Sequence, residues 1–310
     1  MIHTLTINTA IDRLLFIEAF SKNSTNRIKR VVDVVGGKGT HVSLNLSELG
    51  LPSCCFGITM GDTGERIIRA LNARGNLDVR FLHFSEGESR TNYAIIEDDH
   101  TCTLVAEKGA TVSRERCEAL LTVLEHAVQP GDMLILSGDA SNTEIPFFYN
   151  TVMERLAGRN LRFVVDTSSQ NLVEAIKAKP FLVKPNLEEL SQVVGHALHS
   201  QADIVQGMRA IAALGVSLVA VSCGGEGSYV LHQGELRRVH PLAVNVINTI
   251  GCGDAYLAGI AWGLEKGLAL DAILRTATAV SAATAESDLT VGFDLTRARE
   301  LEAQVEITRL

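Results

Sequence analysis

Six cysteines are scattered over 310 residues, with neither C-x-x-C pairing nor the density of a disulfide scaffold. Cys54, Cys55, Cys102, Cys117, Cys223 and Cys252 therefore read as reduced thiols, mostly of a core. An excess of positive charge is also missing: 28 Lys and Arg against 36 Asp and Glu leave a net charge of −8. That balance excludes a broad footprint for nucleic acid or anionic lipid and makes any anion site local. No long hydrophobic run is present. The longest charge-free stretch, Ala210 to Gly225, is short for a membrane span, is interrupted by Gly215 and Ser217, and reads as a buried strand. The start carries no basic leader and its apolar segment is broken by Asp12 and Arg13, so a cytoplasmic protein is expected. The nine histidines form no His-Glu-x-x-His pair, His196 and His199 reading as a solvated helix end, and no Gly-x-Ser-x-Gly elbow occurs. These absences set aside a structural metal centre and the commonest hydrolase chemistry.

What is present is a globular composition, 46% hydrophobic and 21% charged. At about 150 residues per domain the length allows one large or two smaller domains. No repeat, low-complexity tract or linker divides the chain, so one unit spanning 1–310 is expected. Short apolar runs alternate with helix signals. Ile2 to Ile7 and Cys54 to Met60 read as strands, the second followed by Asp62-Thr63-Gly64-Glu65, which predicts a capped helix start with Ile67, Ile68 and Leu71 on one face. The unit recurs as strand Met133 to Leu136 with a helix from about Thr143, strand Arg162 to Val165 with a helix from about Gln170, and strand Phe181 to Val183 with a helix from Asn186; a further strand covers Ser217 to Val221. Such alternation predicts an α/β/α sandwich around a mostly parallel sheet, with ligands beyond the strand C-termini. Two hairpin-like segments break the pattern, about 12–35 and 90–107. They predict a small separate β-sheet lid inserted discontinuously, the competing possibility being extra edge strands of the main sheet.

Four motifs carry candidate chemistry. In Asn248-Thr249-Ile250-Gly251-Cys252-Gly253-Asp254 two glycines precede a helix whose free N–H groups and dipole favour an anion. Asp254 is either an ordinary first-turn acid or a base beside an anion hole. Val35-Gly36-Gly37-Lys38-Gly39-Thr40 also leads into a helix; it is not a Walker A loop, and Lys38 could neutralise a phosphate or face solvent. In Lys184-Pro185-Asn186-Leu187-Glu188-Glu189, Asn186 and Glu189 share a helix face, as a capping box or as an oxygen pair that positions hydrated Mg²⁺. Ser222-Cys223-Gly224-Gly225-Glu226-Gly227 is a tight hairpin or a nucleotide cradle, without the dinucleotide Gly-x-Gly-x-x-Gly and helix.

In this order, Asn8-Thr9-Ala10-Ile11-Asp12, Gly36-Gly37-Lys38-Gly39, Ser89-Arg90-Thr91-Asn92, Lys184-Pro185-Asn186 with Glu189, and Gly251-Cys252-Gly253-Asp254 resemble the ribokinase-like (PfkB) carbohydrate kinases. The first two are most similar to the 1-phosphofructokinase and tagatose-6-phosphate kinase branch. The resemblance implies a three-layer ribokinase-like fold whose β lid often serves as a homodimer clasp, and transfer of the ATP γ-phosphoryl group to a sugar hydroxyl. It implies Asp254 as the base, with N–H groups of Gly251, Cys252 and Gly253 stabilising charge in transit. It places Mg²⁺ through Asn186 and Glu189, and ATP against Lys184, Ser222, Gly224 and Gly227. Asp12, Gly37 and Gly39 would bind sugar hydroxyls, with Lys38 and Arg90 on a phosphate of the acceptor.

The chain departs from the family pattern in four places: Thr9 replaces a proline, His41 a sugar-contacting Asn, Ser137-Gly138-Asp139-Ala140-Ser141 a Ser-Gly-Ser-hydrophobic-Pro run, and the residues around Glu286 differ. The reading is an ATP- and Mg²⁺-dependent kinase of a ketohexose monophosphate such as fructose 1-phosphate or tagatose 6-phosphate. The alternatives are a kinase of an unphosphorylated sugar or nucleoside, which Asp139 favours, and a non-catalytic sugar-phosphate sensor. Cys252, where the family usually has alanine, is expected to have a lowered thiol pKa at the helix N-terminus.

Overall fold

A computed structural model describes residues 1–310 and resolves two sheets. The larger has ten strands in the order Ile307–Arg309, Glu235–Val239, Ser228–His232, Leu218–Ser222, Leu182–Val183, Arg162–Asp166, Met133–Ser137, Ile2–Thr6, Ser53–Met60 and Leu77–Phe84. From Leu218–Ser222 to Leu77–Phe84 every pairing is parallel, while the strands at the other edge pair antiparallel. Alternation along each strand divides the core in two. Leu134, Leu136, Val165, Val183, Val219 and Val221 face one layer with Leu120, Tyr149, Leu172 and Met208. Met133, Ile135, Val164, Leu182, Leu218 and Ala220 face the other with Val42, Leu46, Leu257 and Ile273. Side chains of period 2 thus require helices on both faces.

The smaller sheet has the order Ile28–Gly36, Ala10–Ile17, Arg90–Ile96 and Cys102–Ala106. It is separate from the main sheet, as the two irregular segments predict. Its inner face packs Leu14, Ala94 and Ile96 against Ile250 and Leu289, so it rests on the loop that leads into Gly251. The small residues of helices Cys252–Glu265 and Leu270–Ala285 allow close approach: a Cβ on Gly259 would meet Ala277 Cα at 2.5 Å.

Three expectations need correction. The helix after Met60 runs Gly61–Asn72 without a side-chain cap, and Asp62 lies inside its first turn. The Thr63 N–H donates to the Glu88 carboxylate at 2.6 Å, so a residue distant in sequence does the work assigned to Asp62. Of the expected apolar face, Ile67 and Leu71 are buried and Ile68 is only partly covered. The helix expected from Thr143 begins at Phe148, because the Thr143 hydroxyl bonds the carbonyls of Ala140 and Ile145 and holds a turn. The stretch Ala210 to Gly225 is not one strand: its start ends helix Gln201–Ala213, and the strand is Leu218–Ser222.

Candidate active site

The C-terminal ends of the parallel strands deliver most of the candidate residues to one place. Thr6 and Asn8, Ser137 to Asp139, Lys184 and Asn186, and Ser222 all line a cavity of about 400 Å³, closed from above by Asp12, Arg90, Asn92, Leu104 and Ala106 of the small sheet. Gly37, Lys38, His41, Glu189, Gly251, Gly253 and Asp254 also line it. A second cavity of about 360 Å³ is lined by Gly224, Gly225, Gly227, Thr249 and Cys252, and it shares Asn186, Ser222 and Gly253 with the first. The two therefore meet beside the start of helix Cys252–Glu265.

That helix start is open. Gly251 is its N-cap in the left-handed region at φ +81°, and no side chain caps the first turn. A Cβ on Gly251 would run into the Thr290 carbonyl, so only glycine fits the turn. The uncapped N–H groups and the helix dipole favour negative charge at the junction of the cavities. Asp254, on the first turn, is 6% exposed and faces the first cavity. Its Oδ2 lies 2.8 Å from His41 Nδ1.

Positive charge converges opposite. Lys38 occupies the first position of helix Lys38–Glu48, where the dipole disfavours a cation. It is held there by Asp166: the Nζ atoms of Lys38 and Lys184 both lie 3.4 Å from Asp166 Oδ1. Burial pushes the Asp166 carboxyl up, but the Lys184 and Lys38 ammonium groups outweigh this and hold it below the usual range. Asp166 in turn is the main cause that lifts the Lys38 pKa above that of an ordinary lysine. Arg90 donates to the Glu107 carbonyl at 3.1 Å, while burial pulls its guanidinium pKa down against Asp12, Asp139 and Glu107. Arg90 Nε, Asn92 Oδ1, Ser137 Oγ and Thr6 Oγ1, all on residues of the cavity wall, are buried without a protein partner. Buried polar atoms are rarely left so.

Residues 5–294 match the pfkB family carbohydrate kinases. The chain belongs to that family. Among curated relatives, 1-phosphofructokinase of Bacillus subtilis (strain 168) is 30% identical over 310 residues, with full coverage of both chains. The 1-phosphofructokinase of Vibrio cholerae is 28% identical over 308 residues, covering 99% of this chain and 96% of the relative. Among solved structures, phosphofructokinase-2 from Escherichia coli in complex with substrates and products has a TM-score of 0.92 at 21% identity, covering 98% of each chain. That likeness speaks to the fold.

Within this pfkB kinase the expected residues distribute unevenly. Gly39 lines neither cavity; it is buried where a Cβ would strike Thr6 Oγ1, so it lets the helix close on strand Ile2–Thr6. Lys184 lines only the first cavity, next to Gly253, whereas Ser222, Gly224 and Gly227 line the second. The Gly-rich turn is a hairpin connection through Gly224–Glu226, and its glycines also face that cavity. Asn186 and Glu189 form a reciprocal capping box, each bond 2.8 Å, at a helix start on the cavity wall. Asp139 lines the first cavity, with both carboxylate oxygens accepting from Ser141 at 2.9 Å. His41 has both ring nitrogens on protein acceptors, leaving none free for a sugar. Asp166 was missed; its signal was a carboxylate directly after Val164 and Val165, at the end of a parallel strand.

The expected activation of Cys252 is overturned. Burial, then the Asp254 carboxylate, pushes its thiol up to about 12, outweighing the helix N-terminus. Iodoacetamide at pH 7.5 is therefore expected to modify Cys252 slowly, and Cys252→Ala to leave the rate of inactivation unchanged. Peptide mass spectrometry over the time course checks this, rapid labelling at Cys252 being the contrary result.

Proposed function

We propose that the protein transfers the γ-phosphoryl group of ATP to a hydroxyl of a ketohexose monophosphate such as fructose 1-phosphate or tagatose 6-phosphate. The observation that carries this reading is the meeting of two cavities, one lined by the glycines of the hairpin turn and one holding Lys38 and Arg90, at an uncapped helix start that also presents a buried carboxylate. Donor and acceptor would be brought together there. Asp254 takes the hydroxyl proton as the acceptor oxygen bonds to phosphorus, and the bond to ADP breaks. The N–H groups of Gly251, Cys252 and Gly253 stabilise the charge in transit. Ser222, Gly224 and Gly227 hold the nucleotide, with Lys184 at the junction; Asp12 and Gly37 meet sugar hydroxyls, and Lys38 and Arg90 the phosphate already on the acceptor.

Asn186 and Glu189 bring an amide and a carboxylate to the wall of the first cavity. Oxygen donors of this kind suit a hard ion that keeps its waters and meets phosphates, so these two residues would hold Mg²⁺ mainly through water. Bound Mg²⁺ would supply charge neutralisation on the triphosphate. The small sheet acts as a lid, and its outer face, with Val31 and Val105 about half exposed beside Leu15 and Tyr93, supports a homodimer. No helix is long and apolar enough to cross a membrane, and the proposed enzyme works in the cytoplasm.

A panel of sugars and sugar phosphates assayed for ATP-dependent ADP release tests this reading. Highest turnover with a ketohexose monophosphate supports it; preference for an unphosphorylated sugar favours the second reading, to which Asp139 on the cavity wall points; no activity favours a sensor. Lys38→Ala is expected to remove a charge-assisted contact of about 1.5–3 kcal/mol, raising KM for the sugar phosphate roughly 10- to 150-fold. KM for ATP should stay within about twofold, and equal weakening of both would contradict the assignment.

A further inference from the structure

His41 is buried in the wall of the acceptor cavity, and its two ring nitrogens face acceptors on different elements. Nε2 lies 3.0 Å from the Val35 carbonyl oxygen, and Nδ1 lies 2.8 Å from Asp254 Oδ2. A carbonyl only accepts, so Nε2 carries a hydrogen. A neutral imidazole would then set the Nδ1 lone pair against a carboxylate lone pair at hydrogen-bond distance. The contact requires one more proton, on Nδ1 or on Oδ2. A proton on Oδ2 would disable Asp254 as a base.

We infer that His41 is an imidazolium whose Nδ1–H donates to Asp254 Oδ2, making it a positioning residue that fixes the carboxylate and leaves Oδ1 to receive the acceptor's proton. This rests on the kinase reading above. It gives the histidine a role through the base, distinct from sugar contact.

The charged surroundings agree. Asp254 on helix Cys252–Glu265 is one partner, and Asp12 on strand Ala10–Ile17 places Oδ2 3.5 Å from Nε2. Asp12 accepts from Asn92 at 2.8 Å and lies in the field of Arg90, both on strand Arg90–Ile96. Lys38, on His41's own helix, feels Asp254 as well as Asp166. Burial disfavours the imidazolium, yet the hydrogen bond and charge of Asp254 and the charge of Asp12 outweigh it, so His41 titrates above an ordinary histidine. The proton is lost as pH rises through that raised value. The Nδ1 donor then disappears, Asp254 loses its support, and turnover falls on the alkaline side.

The test is the pH dependence of kcat for the full-length protein and His41→Asn, with the same sugar phosphate and saturating ATP. The parent is expected to show an alkaline limb that is absent in His41→Asn, with kcat at pH 7.5 roughly tenfold lower and KM for ATP unchanged. Histidine-selective ¹⁵N NMR of the unaltered protein supplies a reading independent of whether the variant folds. Both His41 nitrogens should be protonated at pH 7.5, and the pKa should fall in Asp254→Asn. Active parent and variant with superimposable pH profiles, or an unprotonated Nδ1 at pH 7.5, would overturn the inference alone. A parent inactive with every sugar phosphate would overturn the kinase reading, and the positioning role with it.

Discussion

Asp254→Asn is expected to lower kcat by about 10²- to 10⁴-fold, the range associated with a positioned general base. The substitution keeps the shape of the side chain and an oxygen that can accept from His41 Nδ1–H, so the buried contact at 2.8 Å has a replacement. Folding should survive, and the melting temperature should move little. ATP affinity should also persist, because Ser222, Gly224 and Gly227 line a cavity that does not include Asp254. Steady-state kinetics beside nucleotide titration separate these effects. Retention of near-normal turnover would remove Asp254 from the chemistry.

Gly251→Ala should cost both activity and stability without deleting any functional group. The residue holds φ +81°, and left-handed backbone costs a residue with a Cβ roughly 1–2 kcal/mol. A Cβ there would also meet the Thr290 carbonyl oxygen, which is backbone and cannot turn aside. The loop must shift, and the N–H groups at the junction of the cavities shift with it. Removing one preorganised oxyanion donor lowers kcat by about 10²- to 10³-fold, and a fall of at least that order is expected. Gly253→Ala is the control for stability: its Cβ would find only Lys184 Nζ at 3.4 Å, an ordinary contact. Thermal melts should show a clear drop for Gly251→Ala and almost none for Gly253→Ala; equal melting temperatures would contradict the role given to the turn.

The layered sheet was legible in the sequence because strand alternation and helix signals are local. Ile2 to Ile7, Met133 to Leu136 and Arg162 to Val165 announce themselves by apolar runs of the right length, and the parallel order follows from the helices between them. The small sheet was legible as a break in that rhythm. Helix starts were harder where a long-range partner stands in for a local one: the Glu88 carboxylate meets the Thr63 N–H, at a helix start where the sequence pattern offers Asp62 as the cap. Thr143 shows the converse, a short-range hydroxyl bond that holds a turn against the apparent helix.

The site divides in the same way. Gly251 to Asp254 could be read from glycines before a helix, since helix-end chemistry needs only neighbouring residues. The electrostatics could not. Asp166, which also holds Lys184, meets Lys38 across 128 positions of sequence, and His41 meets Asp254 across 213. Only the crossovers of the parallel sheet bring these groups to one edge. Cys252 looks activated beside a helix N-terminus, whereas burial, which the local motif does not reveal, and then the neighbouring Asp254 carboxylate raise its pKa.

Phosphoryl transfer from ATP to a phosphorylated sugar within the joined cavities is most directly tested by ³¹P NMR of the protein with Mg-ATP and fructose 1-phosphate or tagatose 6-phosphate in turn. With at least one of them, the ATP γ resonance is expected to disappear as a sugar bisphosphate and ADP grow in equal amounts. ATP and both monophosphates unchanged over many hours, with the protein folded, would contradict it.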